Sequence, residues 1–199
     1  AAALFPDSTF AYPYCWKECE VLDNGPLRFT AKLVYNPLVI KGDSNVVETR
    51  VISLDKGSQL NKTVISYTDL KEVTPIVAGI VIHKENPTGY SFDSNAGYIA
   101  YADSTQNPRN NNGVIYVGAV FPASLNAAKA QLFPEAERKE HGGALGHVLG
   151  ISDYEPGTEY VYYWGSGWSK YGFAADTEWT KYLENFAQQV RNPLTVTVK

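Results

Sequence analysis

Two of the chain's three histidines stand close together in Glu140-His141-Gly142-Gly143-Ala144-Leu145-Gly146-His147. Imidazole is the side chain best suited to exchange protons near neutral pH, and the glycines between would let a substrate approach the backbone. In extended chain, positions 141 and 147 share a face as long as the glycine turn keeps the register. The pair is not a zinc-protease motif, which needs its two histidines one helical turn apart. His141, His147 and an acid such as Glu140 or Glu159 would suit a metal. The competing reading makes His147 a hydrogen-bonded sheet residue and His141 a loop residue. His83, followed by Lys84-Glu85, is a third contributor.

Tyr160-Val161-Tyr162-Tyr163-Trp164-Gly165-Ser166-Gly167-Trp168-Ser169-Lys170 is the other chemically rich stretch. Alternation puts Tyr160, Tyr162 and Trp164 on one face and Val161 and Tyr163 on the other, so one set is core and the other exposed. Trp164 and Trp168 could stack on the apolar face of a pyranose, or seal a core beneath a helix. Arg50 or Lys170 could meet a uronate carboxylate. Removing a proton beside such a carboxylate and expelling an oxygen needs a base, an acid and a cation. His141 or His147, Tyr101 or Tyr162, and Arg50 or Lys170 fill those roles. A mutarotase or glycosidase would instead pair a histidine with Glu140 or Glu159. A noncatalytic carbohydrate-binding domain needs only the aromatic platform and some amides. No nucleophile elbow, phosphate loop or dinucleotide fingerprint is present, and the sequence leaves any cofactor unknown and assigns no metal ligand.

Composition narrows the partners. The net charge is −4 and the pI about 5.4, which gives no basic field for nucleic acid. No apolar run approaches the roughly 18 residues of a membrane helix. With 14 Tyr, 8 Phe and 4 Trp, the chain is rich in residues that suit both pleated sheets and sugar-binding surfaces. Cys15 and Cys19 form neither a redox motif nor half of a clear zinc site; a disulfide and two thiols buried as small hydrophobes both remain open. The absence of Met points to a piece of a longer product.

Elements that would position these residues follow from punctuation and periodicity. Leu27, Phe29, Ala31 and Leu33 alternate with Arg28, Thr30 and Lys32, predicting a strand that buries the apolar set. Further strands are expected at Val46–Leu54, Gln59–Tyr67, Pro75–His83, Gly97–Ala102, Gly113–Phe121, Ala144–Ser152 and Glu159–Trp164. Their regular spacing favours an antiparallel β-sandwich. Trp179, Leu183, Phe186 and Val190 make one apolar stripe of a helix that Asp176 would cap and Asn192-Pro193 would stop. Leu194–Val198 reads as a last strand, and alanine-rich Ser124–Leu132 as a weaker helix. Long loops are expected at Asp103–Asn112 and Ala136–Gly143. All 199 residues read as a single domain.

Val21-Leu22-Asp23-Asn24-Gly25-Pro26-Leu27-Arg28, Glu48-Thr49-Arg50, Ile52–Asn61, Tyr163–Trp168 and Asn192-Pro193-Leu194 together resemble the domain-of-unknown-function family numbered 4861. The resemblance implies an exported bacterial protein, periplasmic or secreted, of polysaccharide utilisation. It accompanies enzymes that act on unsaturated uronic acids or rhamnose-containing glycans. It also implies a galactose-mutarotase-like sandwich and an additional N-terminal segment preceding this region.

Overall fold

The structure is a computed structural model that describes residues 1–104 and 108–197. Strands β1 (Ala2–Leu4), β2 (Phe10–Ala11), β3 (Trp16–Asn24), β4 (Arg28–Tyr35), β5 (Leu38–Ile40), β6 (Asp43–Asp55) and β7 (Leu60–Thr68) make up the first third. Next come β8 (Thr74–Ile82), β9 (Tyr90–Asp93), β10 (Tyr98–Ser104), β11 (Val114–Val120), β12 (Ala127–Leu132), β13 (Gly146–Tyr154) and β14 (Tyr160–Trp168). One helix, α1 (Asp176–Arg191), follows them. The fold is therefore an all-β antiparallel sandwich with a single C-terminal helix. The smaller sheet runs β12-β13-β8-β1-β2; the larger runs β3-β4-β6-β7-β14-β11-β10-β9, with β5 beside β6.

Alternation along the central strands serves two cores at once. On β10, Ile99 and Tyr101 enter the core between the sheets, whereas Tyr98, Ala100 and Ala102 face the helix. Such double burial explains why β10 reads as a near-continuous apolar run rather than a strict alternation. On β14, Tyr160 and Tyr162 join the inter-sheet core, and Tyr163 points to the helix side, 5.0 Å from Phe186.

The helix lies where its stripe predicts, with Trp179, Leu183 and Ala187 buried and Phe186 and Val190 packed at the margin. Gly118 and Gly167 make the floor for it. A Cβ on Gly118 would come 2.6 Å from Leu183, and one on Gly167 would come 3.0 Å from Trp179, so side chains there would lift the helix off the sheet. Gly165-Ser166-Gly167 is thus part of β14, with Gly167 beneath Trp179. At the far end Arg191 donates to the carbonyls of Asn95 at 2.6 Å and of Phe121 and Pro122 at 3.1 Å. This cation satisfies strand-end carbonyls and complements the helix C-terminus.

Several expectations change. Ala175, not Asp176, occupies the N-cap position; Asp176 and Glu178 occupy the first turn, and Glu178 accepts the Ala174 N–H at 2.7 Å. Residues 127–132 form a strand because they pair along β13, and that ladder outweighs the helix preference of alanine. Leu194 to Thr197 form no strand and are exposed; Val198 lies outside the described residues. Of the loop expected at 103–112, Asp103 and Ser104 end β10, Thr105, Gln106 and Asn107 lie outside the described residues, and Pro108–Asn110 is a single tight turn. The alternation along β4 is only partly met by burial: Leu27, just before the strand, and Phe29 are 70% and 45% exposed and Ala31 and Leu33 are half-buried, while Thr30 is buried and hydrogen-bonded to Ser53 at 3.3 Å. The smaller sheet does not extend over the Leu27–Phe29 end of β4, so nothing covers those two side chains. Cys15 and Cys19 are both exposed and unpaired, which sets aside the disulfide as well as the buried thiols.

Leu183→Ala should lower stability by about 3–5 kcal/mol, as for other fully buried leucines, with an unchanged denaturant slope in urea unfolding. Phe186→Ala should cost less, since that ring sits at the rim of the same core. A loss below about 1 kcal/mol for Leu183 would mean that the helix does not seal the sheet.

Candidate functional site

Strand β1 lies beside β8 only at Ala2, opposite Val77, and Ala3, opposite Ile76. Beyond Val77 the edge of β8 is open, and a groove of about 460 Å³ runs along it. Gly79, Val81 and His147 come from the smaller sheet, Phe10 and Tyr12 from the segment that leaves β1, and Tyr35 and Arg50 from the larger sheet.

Arg50 is held from beneath. Its Nε donates to Glu48 Oε1 at 2.8 Å and its Nη2 donates to the same oxygen, while Tyr67 Oη donates to Oε2 at 2.9 Å. Glu48 has no exposed surface, so the pair is fixed in the sandwich interior. The guanidinium also lies over the Tyr35 ring, 4.9 Å from its centre. Burial, the largest single influence, works against the charge on Arg50, but Glu48 together with Tyr162 and Tyr35 outweighs it and raises the pKa, so the cation persists. The ion pair uses one edge of the guanidinium, leaving Nη1 and a hydrogen on Nη2 for a ligand.

His147 presents its ring to the same groove, flanked edge-on by Phe10 at 6.0 Å and Phe133 at 5.1 Å. Burial and then the neighbouring His141 lower its pKa, so the imidazole is neutral at pH 7. Its Nδ1 is buried without a hydrogen-bond partner among the described residues. His141 stacks flat on Phe133, 3.8 Å between centres, and does not line the groove. The two histidines are thus gathered by one phenylalanine, and only His147 is aimed at a ligand space. Gly142 and Gly143, at φ 67° and 86°, make the turn that turns His141 back onto Phe133.

Tyr162 is a core residue whose hydroxyl lies 3.5 Å from the Ala1 nitrogen, immediately behind the groove. Burial raises its pKa, with Arg50 acting against the shift. The hydroxyl of Tyr101, the other phenol considered, contacts the backbone of His83 and Asn86 and is fully engaged. Tyr12, exposed, and Tyr35, buried, line the groove and were missed by sequence reasoning; burial raises both pKa values and keeps the phenols protonated. Neither carried a local signal, since each meets the groove only through sheet packing.

Trp164, Trp168 and Lys170 are elsewhere. Trp164 and Trp168 stand on the sheet face opposite the helix, 40% and 41% exposed, where the smaller sheet no longer covers it. Trp164 Nε1 donates to Thr63 Oγ1 and Trp168 Nε1 to the Asn112 carbonyl, each at 2.7 Å. Lys170 is bound to the Asn111 carbonyl. Arg50 therefore stands as the groove's cation without Lys170. Glu140 and Glu159 are exposed, and among the described residues no group of three or more His, Cys, Asp or Glu gathers to hold a metal ion. No helix among them is long and apolar enough to cross a membrane.

The geometry defines a two-sheet sandwich with an open-edged groove that combines a fixed cation, a neutral imidazole and protonated phenols. The family described as a domain of unknown function, DUF4861, matches residues 1–196, and the chain belongs to that family. No curated protein matches the chain.

Removing the Glu48 charge should expose the cost of the buried pair. Glu48→Gln should destabilise by about 3 kcal/mol in urea unfolding, because Arg50 is left charged and unpaired, whereas a double replacement of Glu48 and Arg50 by Leu and Met should recover most of it. The His147 pKa is lower in the folded than in the unfolded chain, so its contribution to stability is complete above about pH 6.5 and is lost as pH falls through the folded value. The drop in melting temperature between pH 7 and pH 5 should accordingly be smaller in His147→Leu than in the parent; an equal drop would show that His147 is not buried in neutral form.

Proposed function

We propose that this protein handles carbohydrate in polysaccharide breakdown and acts as a dehydratase or lyase on uronic-acid-containing oligosaccharides. The observation that carries the reading is that Arg50, His147 and Tyr12 line one groove. Arg50 would receive the uronate carboxylate and stabilise the charge that grows on it. Neutral His147 would take the proton from the adjoining carbon. The electrons of that C–H bond form the new carbon–carbon double bond, the bond to the oxygen on the next carbon breaks, and a phenol returns a proton to the departing oxygen. Tyr12 is the better-placed acid, a role the residue types alone would give to Tyr162. The two-sheet sandwich is compatible with a galactose-mutarotase type, and glycans of this kind would be met in the periplasm or outside the cell.

A binding role without catalysis is favoured by one separate observation: Trp164 and Trp168 form an exposed aromatic ledge that does not line the His147 groove. Incubation of the intact protein with uronic-acid oligosaccharides separates the readings. The enzyme reading expects an ultraviolet-absorbing unsaturated uronate, with the mass loss of water or a cut glycosidic bond. His147→Ala should then lower kcat by about 100-fold or more while thermal unfolding hardly moves, and Arg50→Gln should weaken kcat/KM by a similar factor. Binding of the oligosaccharide with no product, or full turnover by His147→Ala, would move the assignment to a binding domain.

A further inference from the structure

His83 and Asp103 form a second polar centre, outside the Arg50 groove. His83 follows the end of β8 and Asp103 lies near the end of β10, so the two come from different sheets. His83 Nδ1 stands 3.0 Å from Asp103 Oδ1, with side chains 46% and 29% exposed. The His83 backbone is tied to the buried Tyr101, whose hydroxyl accepts the His83 N–H at 3.0 Å. The imidazole is thereby anchored at its backbone and oriented at its ring. In the neutral ring, a carboxylate on Nδ1 fixes the proton there and leaves Nε2 as an acceptor.

This pair borders a cavity of about 600 Å³, also lined by Ser104, Ile115, Gly142 and Gly143. A Cβ on either glycine would meet nothing within 4 Å, so that wall is open to a ligand. Asp103 pairs directly with Ile115, and Ile115 directly with Trp168. Residues opposite one another across a sheet share a face, so all three side chains stand in one row. With adjacent strands about 4.8 Å apart, Asp103 and Trp168 are roughly 10 Å apart at Cα, the reach of a disaccharide. Ile115 and Trp168 are 37% and 41% exposed, and the indole is fixed by its bond to the Asn112 carbonyl.

We propose that this row is a saccharide-binding subsite, in which Trp168 and Ile115 take the apolar face of a sugar ring and His83, set by Asp103, accepts a hydrogen bond from a hydroxyl of the next ring. A rigid indole offers contact area at little entropic cost, and an oriented imidazole acceptor gives direction. Asp103 is a positioning residue. The subsite goes beyond the uronate reaction, since neither Trp168 nor His83 requires a carboxylate on the ligand.

Cellobiose, a neutral disaccharide, is the probe, followed by nitrogen–proton NMR of the imidazole and indole groups. Titration should move the Trp168 Nε1 and His83 ring signals along one saturating curve. His83→Ala and Trp168→Ala should each weaken association by roughly five- to tenfold, and Trp168→Phe by less. Asp103→Asn should redistribute the His83 proton between the two ring nitrogens and weaken binding, which a purely structural Asp103 would not do. Both sites are partly exposed, so thermal unfolding should stay close to that of the parent. No movement of either signal, or unchanged association in His83→Ala and Trp168→Ala, overturns the subsite. The probe carries no carboxylate, so a failed elimination reaction on uronates leaves this result to stand by itself.

Discussion

A sheet of nine strands has two faces, and the middle strands here bury both of them. Ile99 and Tyr101 of β10 pack against the smaller sheet, while Tyr98, Ala100 and Ala102 on the same strand lie toward α1. Removing apolar surface from water drives this arrangement, and it needs a cover on each side. One cover is the five-stranded sheet; the other is a single helix of 16 residues. The helix can approach only because Gly118 and Gly167 leave room for Leu183 and Trp179, and Arg191 then locks its end to the strand turns.

Both covers are narrower than the sheet they cover, and the chemistry gathers where they stop. β1 spans only Ile76 and Val77 of β8, which opens the groove that reaches down to Arg50. The same shortfall leaves Phe29, Leu54, Ile115, Trp164 and Trp168 exposed on the larger sheet. Apolar surface of this extent, beside polar groups, is the ordinary ground for recognition of a ligand. Between the groove and the core sits Glu48, wholly buried. A lone carboxylate would be expelled from such a place; paired with Arg50 and Tyr67 it instead fixes the position of a cation at the groove floor. The groove's geometry therefore depends on an ion pair whose acid never meets the ligand.

Much of the fold was legible from local pattern. Apart from β9 and β12, the strands between residues 43 and 168 fall close to their expected bounds, and α1 coincides with its apolar stripe, because period-2 and period-3.6 patterns are properties of contiguous residues. The failures share one cause. Residues 127–132 have helix-favouring composition but pair with β13, and Leu27 and Phe29 alternate as if for a core that does not extend to them. In each case a distant element, present or absent, decided the outcome. β1, β2, β5 and β9 were too short to show any period.

The candidate site divides in the same way. Arg50, His147, Tyr162 and the two tryptophans could be singled out by residue type, since cations, imidazoles and exposed indoles have few uses other than chemistry or contact. Which of them meet could not be read. Lys170 stood as an equal of Arg50 until the structure bound it to the Asn111 carbonyl, and His141 stood as an equal of His147 until it stacked on Phe133. Tyr12, Tyr35 and the His83–Asp103 pair carried no motif, being brought into place from separate strands or segments. The sequence by itself determined the residue chemistry, the strand periodicity and the terminal helix, all of which act within a few neighbouring residues. Only the tertiary structure decided which face is covered and which charges and rings share a space, because those follow from pairings between segments far apart along the chain.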